Sequence, residues 1–316
     1  MKRFCLLLAA AGLATTLLSG PALAGDPDSC KSVRFSDVGW TDITSTTAIS
    51  SRILKGLGYE PQTTVLSIPV TYASMKNKDI DVYLGDWQPS MENDRKPYLD
   101  DKSITVSGAN LPEGAKYTLA VPQYTYDKGL HDFADIARFK DSLQGKIYGI
   151  EPENNGNRMV QCLIDANKDG LKGFEVVESS EQGMLAQVQG NVARNEDIVF
   201  LGWAPHPMNV NFKIRYLTGG DDTFGPDFGK AVVYTNVRTG WSEQCPNAGK
   251  LVANLKFTVE LENQVMQMIT GDGLDGPAAA EKYLKANPGV LDAWLAGVTT
   301  FDGQPGLAAL KKSLGL

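Results

Sequence analysis

Trp40 and Asp42 stand two places apart in DVGWTDITSTT (residues 37–47), an indole and a carboxylate between a β-like run and a Ser/Thr-rich helix start. Two more tryptophans occupy like positions. Trp87 follows the run DIDVYLG, Trp203 follows DIVFLG, and all three have a glycine one or two places before them. Tyr117 opens a further run, YTLAVP. A core tryptophan normally lies within a strand or on a helix face, whereas a ring at a strand exit points toward a cleft. Packing alone accounts for any one such ring more easily than for three. Trp294, in VLDAWLAGV, has helical apolar neighbours and reads as core; Trp241, in RTGWSEQ, reads as structural.

Aromatic faces gathered around one point have a preferred guest, a quaternary ammonium, whose diffuse positive charge suits the negative ring face and which has no N–H to donate. At roughly 0.5–2 kcal/mol per contact, four rings supply on the order of 2–8 kcal/mol, and micromolar affinity needs about 8. One or two polar anchors complete the sum. Asp42 is the expected anchor. An ionised carboxylate only accepts hydrogen bonds, so it favours a ligand hydroxyl and repels a ligand carboxylate. That favours choline over glycine betaine, with acetylcholine intermediate because it keeps the cation but has no hydroxyl to donate. The competing reading is that Asp42 caps the helix that follows. The loop EPENNGN (residues 151–157) adds Asn154, able to face a hydroxyl, and Gly156, where the backbone can approach closely.

The elements that must position these groups alternate between strand and helix. Lys31–Gly39, Thr63–Val70 and Asp79–Gly85 read as strands, with helices over Ser45–Leu57 and Thr71–Lys78 between them. That is a βαβαβ unit, with a parallel sheet expected. A second α/β unit has strands at Tyr117–Pro122, Lys146–Ile150, Phe174–Glu178 and Asp197–Trp203, and helices over Phe133–Phe139, Asn157–Asn167 and Ser180–Val192. Strand patterns return at Lys213–Thr218 and Lys230–Val237, and Leu/Ala/Lys-rich helices close the chain from about Lys250. The fold class is therefore α/β with two lobes. Residues 25–112 plus 212–316 form a discontinuous outer lobe, and 113–211 an inserted one, with hinge crossings near Leu111–Tyr117 and Met208–Arg215. Ligand would sit in the cleft beyond the carboxyl ends of the strands, with Trp40 and Trp87 from one lobe and Tyr117 and Trp203 from the other.

The chain begins with Lys2 and Arg3, an apolar run from Phe4 to Leu18, and Ala22-Leu23-Ala24, the pattern of a secretory signal peptide. Cleavage after Ala24 takes 24 of the 316 residues, leaves 292, and moves the formal net charge from −7 to −9. An acidic exported chain is a poor nucleic-acid binder. Cys5 leaves with the leader. Of the remaining three cysteines, Cys162 in RMVQCLIDA reads as a core thiol, and Cys30 and Cys245 are disulfide candidates outside regular elements. Their spacing suits no zinc site, and no cofactor is expected. A choline-ester hydrolase is the rival function from another class. The only histidines are His131 and His206, and the chain has no GxSxG elbow, HExxH or phosphate-cradling loop.

The motifs VGWTD, YLGDWQPS, KYTLAVP, GIEPENNGN and FLGWAPHPMN together resemble the substrate-binding proteins of quaternary-amine ABC importers, the choline-binding members above all. The resemblance spans essentially the whole mature chain. It implies a type II periplasmic binding protein, monomeric, closing by hinge motion and delivering ligand to a membrane permease driven by an ATPase. It implies an aromatic box of Trp40, Trp87, Tyr117 and Trp203, with Asp42 and Asn154 on the ligand hydroxyl and a Cys30–Cys245 disulfide. His206 occupies a motif whose histidine helps hold the ligand carboxylate in related glycine-betaine binders, and it is left outside the primary site. Glycine betaine and proline betaine are the alternative ligands.

Overall fold

Nine strands build one curled sheet: β1 (Ser32–Asp37), β2 (Glu60–Val65), β3 (Val82–Gln88), β4 (Ile104–Pro122), β5 (Lys146–Tyr148), β6 (Glu175–Val177), β7 (Phe200–Ala204), β8 (Ile214–Tyr216) and β9 (Lys230–Arg238). They are seen in a computed structural model that describes residues 25–316, so the leader and its cleavage point lie outside the described residues. The order is β2-β1-β3-β9-β4-β7-β5-β6, with β8 also on β4. At one end β2, β1 and β3 are parallel. At the other, β6, β5 and β7 are parallel. The two parallel sets are the two lobes of a periplasmic-binding-protein fold, and antiparallel β4 and β9 join them.

β4 is the spine of this arrangement. Its 19 residues pair with β9 from Ile104 to Lys116, with β7 from Lys116 to Ala120 and with β8 from Ala120 to Pro122. Register shifts between Val106 and Gly108, Ala109 and Leu111, and Leu111 and Ala115 bend it from one lobe into the other. The segment Leu111–Tyr117, expected as the first crossing, is part of this continuous strand. The second does not lie at Met208–Arg215. Because β8 still pairs with the far end of β4, the chain is on the inserted side there and returns only through residues 218–230 into β9.

Several boundaries shift for local reasons. The first long helix is Thr41–Gly56, four residues earlier than expected, because β1 stops at Asp37 and Trp40 takes the N-cap position without a capping side chain. β2 ends at Val65, where the chain turns into the helix Ile68–Lys76 with Pro69 in its first turn. Phe133–Phe139 is a 3-10 helix, entered through a capping box on Asp132. Cys162 is exposed and not a core thiol, since the buried face of the helix Asn155–Asp165 carries Val160 and Ile164, each two places from it. No helix of the described residues is long and apolar enough to cross a membrane.

One apolar cluster runs through the inserted lobe and the cleft; a second fills the outer lobe around Cys30, Cys245, Trp241 and Trp294. Cys30 and Cys245 form a disulfide across 215 residues of sequence. Closing so long a loop restricts the unfolded chain, so Cys30→Ala with Cys245→Ala should lower stability by about 2–5 kcal/mol in denaturant unfolding. A change below about 0.5 kcal/mol would show the bridge to be redundant with the packing around it.

Candidate functional site

The aromatic rings meet where the two parallel sets face each other. Tyr117 on β4 and Trp203 on β7 are direct partners in the antiparallel ladder. Cross-strand partners share a face of the sheet, so their rings stand together, centroids 6.3 Å apart at 71°. Trp87 lies 6.4 Å from Tyr117 at 62°. It and Trp203 are inside β3 and β7, near the strand ends and not beyond them as the sequence suggested. Trp40 arrives from the N-cap of the helix Thr41–Gly56. All four rings are buried, and with Asp42, Ser90, Ile150 and Asn155 they line one small pocket.

Each ring with a polar edge that bonds in the site has a fixed partner. The Trp40 indole donates to Glu151 Oε1 at 2.8 Å, from the outer lobe to the inserted one. The Trp87 indole donates to Asp42 Oδ2 at 3.2 Å. The Tyr117 hydroxyl donates to Asn154 Oδ1 at 3.0 Å. These bonds leave the ring faces, rather than their edges, free for a guest.

Asp42 is in the first turn of its helix and is not the N-cap, which is Trp40. Its position suits a negative charge near the helix N-terminus. Even so, complete burial and the nearby Glu181 charge push its carboxyl up to about 8, offset only partly by hydrogen bonds including the one from Trp87. Oδ1 is buried with no partner. Burial also raises the Glu151 carboxyl above the ordinary range, against hydrogen bonds from Asn154 and Trp40.

Asn154 is buried, but it does not line the cavity. Its Oδ1 accepts from Gly156 N at 2.7 Å, capping the helix Asn155–Asp165, and from Tyr117, while its amide donates to Glu151 at 2.8 Å. The wall position belongs to Asn155, which donates to Ser90 O at 3.0 Å across the cleft and whose Oδ1 is unpartnered. Gly156 is required here, because a Cβ would fall 1.8 Å from the Tyr117 hydroxyl.

Ser90, Ile150, Glu151, Asn155 and Glu181 were not singled out from the sequence. Ser90, Ile150, Glu151 and Asn155 lie in or beside motifs that were, DWQPS and GIEPENNGN, and proximity to those rings was the available signal. Glu181 carries none: it begins the helix Glu181–Arg194 and bonds Thr41, 140 residues away. His206 is buried behind Trp203, ring centroids 5.2 Å apart, with Nε2 3.2 Å from Glu181 Oε1. The Met208 N–H donates to its Nδ1 at 3.0 Å, so the ring hydrogen facing Glu181 is on Nε2.

The molecule is similar to solved structures described as an ABC-transporter choline binding protein. The complex with choline is 57% identical, with a TM-score of 0.90, covering 92% of this chain and all of that one. The unliganded semi-closed form, with the same identity and coverage, has a TM-score of 0.84. A lactococcal protein, OpuAC, closed on glycine betaine, shares the fold at 24% identity and a TM-score of 0.76, covering 84% of this chain and 99% of its own. Residues 31–286 match the substrate binding domain of ABC-type glycine betaine transport systems, and the chain belongs to that family.

Proposed function

We propose that this protein captures choline in the periplasm and delivers it to the permease and ATPase of an ABC importer. The observation that carries the reading is a pocket walled by four buried aromatic rings with an unpartnered Asp42 oxygen among its lining groups. Trp40, Trp87, Tyr117 and Trp203 surround the trimethylammonium. Asp42 accepts a hydrogen bond from the ligand hydroxyl, and Asn154 supports that side from behind the wall, by holding Tyr117 and Glu151. Likeness to a choline complex at 57% identity supports the same ligand. Export through a leader cleaved after Ala24 fits a family that serves as the binding component of transport, where the task is capture and not catalysis.

Closure follows from the division of the cage. Trp40, Asp42 and Trp87 come from the outer lobe, Tyr117 and Trp203 from the inserted side, so only the closed form assembles the whole box and a bound cation favours it. Carboxylated betaines meet Asp42, Glu151 and Glu181, to which no lysine or arginine donates a hydrogen bond among the described residues.

Asp42 also links binding to pH. With its carboxyl near 8 rather than 3.8, the empty closed cleft is favoured while Asp42 is protonated and loses that advantage as pH rises between those values. A quaternary ammonium replaces the proton as the partner of that charge. Choline affinity should therefore rise from pH 5 to about 8 and level off above it, by isothermal titration calorimetry. A flat profile over that range would place Asp42 away from the cation.

In the same titrations, Trp203→Ala should raise the choline Kd at least about tenfold with the fold intact by circular dichroism. Near wild-type affinity would mean the rings do not form the box. Asp42→Ala should weaken choline far more than acetylcholine, and equal losses would reduce Asp42 to a helix-terminal charge.

A further inference from the structure

The helix Thr41–Gly56 brings both Trp40 and Asp42 to the cavity, yet it has no capping side chain of its own. The missing acceptor comes from the opposite lobe. Glu181, buried at the start of the helix Glu181–Arg194, accepts from Thr41 N at 2.9 Å and from the Thr41 hydroxyl. Thr41 is the residue between Trp40 and Asp42, so this contact fixes the backbone from which ring and carboxylate project. It exists only when the lobes are together. The same carboxylate accepts from His206 Nε2 at 3.2 Å, and His206 packs edge-on against Trp203.

We propose that Glu181 is a positioning and specificity-determining residue of this site: from the inserted lobe it caps the helix that carries Trp40 and Asp42, and it keeps His206 and a negative charge committed behind the cage, so that closure favours a cation without a carboxylate. The inference rests on the choline reading above. Two consequences follow from the geometry. First, a carboxylate at a helix N-terminus satisfies orphan N–H groups and opposes the positive end of the helix dipole, so the contact stabilises the closed state without touching ligand. Second, among the described residues no lysine or arginine bonds to the carboxylates of the site, and Glu181 occupies the Nε2 hydrogen of His206. A ligand carboxylate entering the cage therefore finds no available positive partner, and it faces the Glu181 charge as well as that of Asp42.

The test compares wild type, Glu181→Gln and Glu181→Ala in titrations with choline and, by competition, with glycine betaine, together with thermal unfolding of the ligand-free proteins. Glu181→Ala should raise the choline Kd about tenfold while the ligand-free variant still unfolds in a cooperative thermal transition. Glu181→Gln keeps an acceptor for Thr41 but loses the charge. It should weaken choline less than the alanine variant, yet narrow the choline-to-betaine ratio of Kd values by about tenfold. An unchanged ratio in both variants, or a choline Kd within about twofold of wild type in Glu181→Ala, would overturn the role of Glu181. Should the alanine variant fail to fold, the ratio measured on Glu181→Gln decides. Wild type taking up no choline would sink the choline reading and this inference together, whereas wild type binding choline with an unchanged ratio in Glu181→Gln would sink this inference alone.

Discussion

Three carboxylates, Asp42, Glu151 and Glu181, gather behind four aromatic rings without a lysine or arginine bonded to any of them among the described residues. Buried negative charge of that kind is costly unless something positive shares the site. Burial accordingly lifts the Asp42 and Glu151 carboxyls above the ordinary carboxylate range. A permanent cation resolves it, and one that has no N–H does so through ring faces and diffuse field rather than through a salt bridge. The rings and the acids thus solve one problem together. On the proposed function, the rings dehydrate the cation and contact its methyl groups, and the carboxylates make the space between them negative.

The strand architecture makes this geometry reproducible. Tyr117 and Trp203 are held side by side by ladder pairing, and Trp87 is fixed on β3, itself paired to β9. Only Trp40 and Asp42 depend on a helix terminus, and that terminus is secured by Glu181 from the facing lobe. Trp40 to Glu151, Asn155 to Ser90 O, and Arg158 to Asp94 at 2.5 Å also span the cleft. Most of these contacts fall close to the cavity, so the interactions that shape the site are the same ones that close the molecule.

Much of this was legible in the residues. Alternating strand and helix patterns indicated a two-lobed α/β fold, and glycine-preceded tryptophans at the ends of apolar runs indicated the rings that line one pocket. The misplacements have specific causes. Trp40 is not a capping type, so nothing local announced a helix beginning at Thr41. The continuous β4 hid the first crossing inside a strand, and the return crossing moved because β8 pairs with β4 after Phe212, a contact that exists only in three dimensions. Asn154 and Asn155 are adjacent, and which of them faces the cavity depends on the turn that Asn154 itself caps. Glu181 was illegible because its meaning lies wholly in Thr41, 140 residues earlier.

Recognition of charge, rather than of size and greasiness, is the feature on which everything else turns. The most direct measurement is a calorimetric comparison of choline with 3,3-dimethyl-1-butanol, which replaces the quaternary nitrogen by carbon and keeps the shape and the hydroxyl. Choline should bind at least about a hundredfold more tightly, the gap expected when several ring faces and buried carboxylates respond to the positive charge. Equal binding of the two would mean that the cavity selects a shape, and that the buried acids serve the fold and not the ligand.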